Sequence, residues 1–189
     1  MKSRTLVASL VGAAAIATMA IAAPNQASAG ASGDAVVNAV VSSSQFDVLE
    51  AVLVDLGLVE TVAGLENATI FAPADASFRG LVADLLNVPI WNLPEAEVIR
   101  VLTTVVPQDV LAAVVSYHVG FKQLDGTYTM LDTQTVKPVR FFGITFLEDK
   151  DNTDLNPFIV GRTNAGTNTV FTIAGVLRPT ELKNLFPLD

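Results

Sequence analysis

The apolar periodicity of this chain changes once, near His118, and that switch limits the folds open to it. Before it, apolar residues recur at three- and four-residue spacing: Val36, Val37, Val40 and Val41, then Phe46, Leu49, Val52, Leu53 and Leu56, then Phe78, Leu81, Val82, Leu85 and Leu86. Segments 95–106 and 108–117 continue as helices, each opened by a Pro. After it, 127–131, 139–147, 158–162 and 169–176 are rich in β-branched and aromatic residues, parted by turns such as Asp125-Gly126 and Asn164-Ala165-Gly166. One β-like segment comes earlier, 68–72, closed by Pro73. Asp34 and Asp75 stand where helix N-caps belong, Gly57 where a helix ends, and 88–94 reads as an apolar connecting loop around Trp91. Helices segregated before strands predict an α+β domain, with N-terminal helices packed against a mostly C-terminal β-sheet or wedge.

Residue counts remove most chemistry. With no Cys among 189 residues there are no disulfides, zinc–thiolate sites, iron–sulfur clusters or cysteine nucleophiles, and a single His leaves little for metals. A formal charge of −8 argues against nucleic acid as a partner, because phosphate binding draws on Lys and Arg. Residues 1–29 read as a secretory signal peptide: Lys2 and Arg4, an apolar run over 6–23, Pro24, and Ala27-Ser28-Ala29 for cleavage after Ala29. A short linker at 30–33, one domain over 34–182 and a tail at 183–189 complete the expected organisation. No other segment reaches membrane-spanning length, so the mature chain is expected to be secreted or periplasmic, without a membrane anchor.

Three segments carry a resemblance. The first is Thr69-Ile70-Phe71-Ala72-Pro73-Ala74-Asp75-Ala76-Ser77-Phe78, the second Tyr117-His118, and the third runs from Asn168 through Pro179. In order and spacing they resemble the signatures of the fasciclin (FAS1) domain family, over about residues 34–182. Ser77 stands where the family usually has Ala, Thr172 where it has His, and Gly175 where it has Asp. The resemblance implies a FAS1-like α+β fold in which Thr69, Phe71, Pro73, Asp75, Phe78, Tyr117, His118, Asn168 and Pro179 are structural. It also implies an exported, non-enzymatic interaction module for cell adhesion, binding an extracellular or envelope protein or polysaccharide, with no cofactor.

Physical reasoning on the same residues agrees in part. Asp75 is expected to cap the helix that follows Pro73, and His118 to be a buried histidine satisfied by a carboxylate, Asp75, or by backbone. A hydrolase triad of Asp75, His118 and Ser116 or Ser77 is disfavoured: the chain has no Gly-x-Ser-x-Gly elbow, and Ser116 precedes His118 within a helix that would point them apart. Glu148, Asp149, Asp151 and Asp154 lack the glycine and final glutamate of a calcium loop and read as a solvated hairpin tip. The alternative function is a carrier of a hydrophobic ligand such as a carotenoid, as some secreted family members are, or a lipid. For it the expected surface is Ile90, Trp91 and Leu93 against Phe46, Leu49 and Leu53, an apolar loop over helices lined by small aliphatic residues.

Overall fold

The computed structural model describes residues 26–149, 156–180 and 182. The expected leader therefore lies largely outside the described residues, as do the 183–189 tail and the middle of the acidic 148–154 segment. Six helices are described: α1 (Gln26–Val41), α2 (Asp47–Asp55), α3 (Val59–Ala63), α4 (Asp75–Leu86), α5 (Glu95–Thr104) and α6 (Gln108–Ser116), with a 3₁₀ turn at Ile90–Asn92. Seven strands accompany them: β1 (Thr69–Pro73), β2 (Val119–Lys122), β3 (Tyr128–Met130), β4 (Thr135–Phe141), β5 (Ile144–Glu148), β6 (Phe158–Ala165) and β7 (Asn168–Ala174).

The sheet closes on itself as a barrel in the order β1 to β7. Neighbours are antiparallel except β1 and β7, which run parallel from Thr69↔Thr169 to Pro73↔Ile173. The β5–β6 seam is the thinnest, with one residue pair, Phe146↔Phe158, and a hydrogen bond from Leu147 N–H to Pro157 O. Two apolar cores result. The larger lies among the helices and includes Val36, Leu49, Phe78, Val101 and Leu111; the smaller fills the barrel with Phe71, Tyr117, Tyr128, Leu147, Ile173 and Leu177. Phe71 and Phe78 thus flank the β1–α4 turn and enter different cores. The ring of Phe71 meets Tyr128 edge-on at 5.0 Å and stacks on Phe171 at 5.8 Å, geometries that suit the aromatic quadrupole.

Four local expectations are corrected. The linker at 30–33 is part of α1, which leaves Asp34 inside that helix rather than at its cap. Segment 139–147 is two strands, turning at Phe142-Gly143. β2, too short to announce itself beside the helix that ends at Ser116, begins directly after His118. The last strand, expected over 169–176, ends at Ala174, which leaves Gly175 just beyond it.

Candidate functional site

The three signature segments meet along one seam between the two cores. Asp75 does not cap its own helix: Ala74 holds the N-cap position with extended backbone, and Asp75 is the first helical residue. Its Oδ1 instead accepts the Val48 N–H at 3.0 Å, while its own N–H donates to Gln45 O at 2.9 Å. Val48 is the second residue of α2, whose N-cap Phe46 has no side chain suited to the task. A carboxylate from α4 therefore satisfies an orphan donor of α2 and ties two helix starts together.

His118 is buried, and its partner is backbone rather than Asp75. Its Nδ1 lies 2.6 Å from Val114 O, and its Nε2 accepts the Leu177 N–H at 3.0 Å. Since Nε2 must accept, the ring is neutral with its proton on Nδ1. Burial pushes its pKa down to about 4, and the Val114 carbonyl opposes that shift. Both ring nitrogens are committed to main chain, so neither Ser116 nor Ser77 is paired with a base. Among the described residues no Ser–His–Asp constellation is assembled.

Two of the departures from the FAS1 pattern turn out to be neighbours. The Ser77 hydroxyl donates to Ile173 O at 3.2 Å and accepts the Gly175 N–H at 2.9 Å. Gly175 has φ +103, and a Cβ there would stand 3.1 Å from the Pro157 backbone. An L-residue is strained at that φ whatever the space allows. Thr172 lies opposite Gly161 and against it. On the other side of the seam, buried Asn168 accepts the Ala68 N–H through Oδ1 and donates from Nδ2 to Leu65 O, both at 2.8 Å. Thr69, Pro73, Tyr117 and Pro179 are buried alongside.

Among the described residues, Asp47, Asp75 and Glu95 bring three carboxylates within 4.8 Å of one another. Each is the first residue of its helix, α2, α4 or α5. Unpaired N–H groups and the helix dipole favour a carboxylate at such a position without any cation.

The six residues expected to hold a hydrophobic ligand do not form one surface. Phe46, Leu49, Leu53 and Leu93 are buried in the helix-side core, whereas Ile90 and Trp91 face solvent, Trp91 at 82% of its full exposure. Leu49 and Leu53 line an apolar cavity shared with Val36 and Val40 of α1 and with Leu111 and Val114 of α6. It offers about 30 Å³ to a water-sized molecule, and none of the loop residues lines it. A second groove, lined by Val37, Val41, Glu50 and Val54 among others, runs beside it under α1.

The loop itself is firmly held. Asn87 ends α4 in the left-handed region at φ 51, and the Val88 N–H returns to Ala83 O, which closes the helix. Asn92 and Leu93 donate to Pro89 O and Ile90 O, and Leu93 anchors the far end in the core. Leu86 at the end of α4 and Val88, Ile90 and Trp91 in the loop are exposed along one short segment. The apolar loop is legible in the residue pattern; the outward direction of its Trp is not, since lone Trp residues usually fill cores.

This arrangement is a FAS1-like fold. The solved structure of a FAS1 domain pair from the insect cell adhesion molecule Fasciclin I is similar to this chain, with a TM-score of 0.56 at 9% sequence identity. The match covers 78% of this chain and 52% of that one, so the chain spans about half the length of the domain pair. No family model and no curated protein matches the sequence. Among the described residues no single helix is long and apolar enough to cross a membrane.

Proposed function

We propose that this chain is an exported, non-enzymatic FAS1-type interaction module that docks an extracellular or envelope protein or polysaccharide through its Trp91 loop. The observation that carries the reading is Trp91 itself, a large aromatic held out to solvent on a loop anchored at both ends. Burying such a ring on contact is favourable by roughly 2–3 kcal/mol, and the fixed loop keeps the ordering cost of binding small. Exposed Trp is also the residue type most often dominant in protein contacts. The FAS1 domain pair of similar fold comes from a cell adhesion molecule, which agrees with a binding role. The saturated hydrogen bonding of His118 supports a structural rather than catalytic seam.

The test is adhesion of protein-coated beads to cells of the native host and to their isolated surface polysaccharide. Trp91→Ser is expected to reduce capture tenfold or more while leaving stability within about 0.5 kcal/mol, as surface changes do. Equal capture by the variant refutes the assignment. The carrier reading retains one supporting observation, the wholly apolar cavity under α1. Its present space, about 30 Å³, is far less than a polyene needs. A visible absorption band on protein purified from its host would establish that reading instead.

A further inference from the structure

The ribbon formed by β4 and β5 takes no part in the seam or in the Trp91 loop. Its ladder runs from Lys137↔Glu148 to Phe141↔Ile144. β3, however, stops pairing with β4 at Tyr128↔Val136, and β5 meets β6 at the single pair Phe146↔Phe158. Beyond those points the two strands project from the barrel supported mainly by each other. An isolated two-stranded ribbon is marginal in water, so a free end would ordinarily be polar. This one ends in Phe142 at 90% exposure, Phe141 at 61%, and Ile144 exposed across the ladder from Phe141. The rings of Phe141 and Phe142 pack edge to face at 4.3 Å. Phe142 is moreover held at φ 46, a left-handed conformation that is costly for a bulky residue and natural for Asn.

Charge indicates what covers this tip. Residues 26–116 carry two basic and eleven acidic side chains, a formal −9, whereas 117–180 carry six of each. The strand order places the β2–β3 and β4–β5 turns at the same end of the barrel, away from the β1–α4 turn. That end presents exposed Lys122 and Leu124 beside Asp125 of the β2–β3 turn, and exposed Lys137 across the ladder from Glu148; beyond that pair, Arg140 is the only charged side chain of the ribbon before its tip. Arg140 has no ion pair among the described residues. Pairing of the β4 edge with a second copy is opposed by Pro138, which lacks an N–H, and by the flanking Lys137 and Arg140.

We propose that the tip formed by Phe141, Phe142 and Ile144 inserts into the interfacial layer of an anionic lipid bilayer, with Arg140 at the headgroup phosphates, Lys137 and Lys122 farther back along the ribbon and the acidic helices held away. From Arg140 to Phe142 the strand advances about 7 Å, which matches the roughly 5–10 Å depth of interfacial insertion. Three apolar side chains with one basic group at headgroup depth give a reversible contact rather than an anchor.

The experiment is flotation of the purified protein with phosphatidylcholine vesicles, with and without phosphatidylglycerol. Co-flotation is expected with the phosphatidylglycerol vesicles and is expected to weaken with salt. The double change Phe141→Ser and Phe142→Ser should reduce it tenfold or more in a variant shown folded by circular dichroism. Arg140→Glu should reduce it about fivefold or more, and Trp91→Ser should float as the unaltered protein does. Flotation that is absent, indifferent to the Phe changes or lost with Trp91→Ser overturns the proposal. So does a concentration-dependent dimer that Phe142→Ser dissolves, which would assign the tip to a second copy.

Discussion

In the seam between β1 and β7, polar side chains close backbone groups of other elements. Asp75 serves Val48, Asn168 serves Ala68 and Leu65, Ser77 serves Ile173 and Gly175, and His118 serves Val114 and Leu177. In the Trp91 loop and the β4–β5 tip the arrangement is reversed, and large apolar side chains stand in solvent. A buried donor without an acceptor costs on the order of 1–3 kcal/mol, so the seam is where sequence is tied to stability. An exposed aromatic adds nothing to stability, so the projecting surfaces are where sequence is free to serve contact. Changes in the seam should therefore lower stability and spare binding, and changes at the projections should do the opposite.

The largest expected effect is at the barrel end of the seam. Phe71 is fully buried against Tyr128 and Phe171. Phe71→Ala should lower the unfolding free energy by about 4 kcal/mol through lost burial and a residual cavity, measured by urea denaturation. A loss below about 2 kcal/mol would mean that the barrel core repacks freely and is not the rigid partner of the helix-side core.

Next comes acid sensitivity at His118. Its folded pKa of about 4 lies below the ordinary value of 6.5 because the ring is buried. The unfolded chain therefore binds the proton more readily in that interval, and stability is full above pH 6.5 and lost as pH falls through 4. The expected loss is about 3 kcal/mol across the window. Denaturation of the native chain and of His118→Gln, followed from pH 7 to pH 4, isolates this contribution from that of the carboxylates. Identical slopes in the two proteins would show that the ring does not titrate as a buried group.

The Asp75 contact also separates what the sequence could reveal from what it could not. Asp75→Ala should cost about 1–2 kcal/mol by orphaning the Val48 N–H, and Asp75→Asn, which keeps an acceptor, should recover most of it. An equal loss from both would mean that the carboxylate charge at the clustered helix starts matters more than the cap. The residue type announced a helix start, but which helix it serves depends on a contact 27 residues away in sequence. The helices themselves were legible because their apolar spacing is dictated by one buried face. The α+β order was legible because the periodicity changes once. The β4–β5 turn was not, since Phe142-Gly143 lacks the Asn-Gly signal of a tight hairpin. Nor was the split of the expected ligand surface, because periodicity tells which side of a helix is buried and says nothing about what a loop covers. Ser77 and Gly175 each stand out as departures in the sequence, but their pairing depends on the fold bringing the end of β7 beside α4.

The smallest effect has the opposite sign and bears most directly on the comparison. Phe142 occupies the first position of a two-residue turn in which Phe142 and Gly143 both have positive φ, 46 and 84. That pattern favours Asn-Gly, because Asn tolerates the left-handed conformation and Phe does not. Since the Phe142 ring is almost wholly in solvent, removing it forfeits little burial. Phe142→Asn should therefore raise the unfolding free energy by roughly 0.5–1 kcal/mol, within the usual gain from relieving a strained turn. The same substitution should weaken flotation with phosphatidylglycerol vesicles. A residue that reduces stability and strengthens contact is what a projecting surface requires and what a structural seam would not retain. If Phe142→Asn instead lowers stability by 1 kcal/mol or more, the ring is part of the fold, and the division between seam and projection fails at this position.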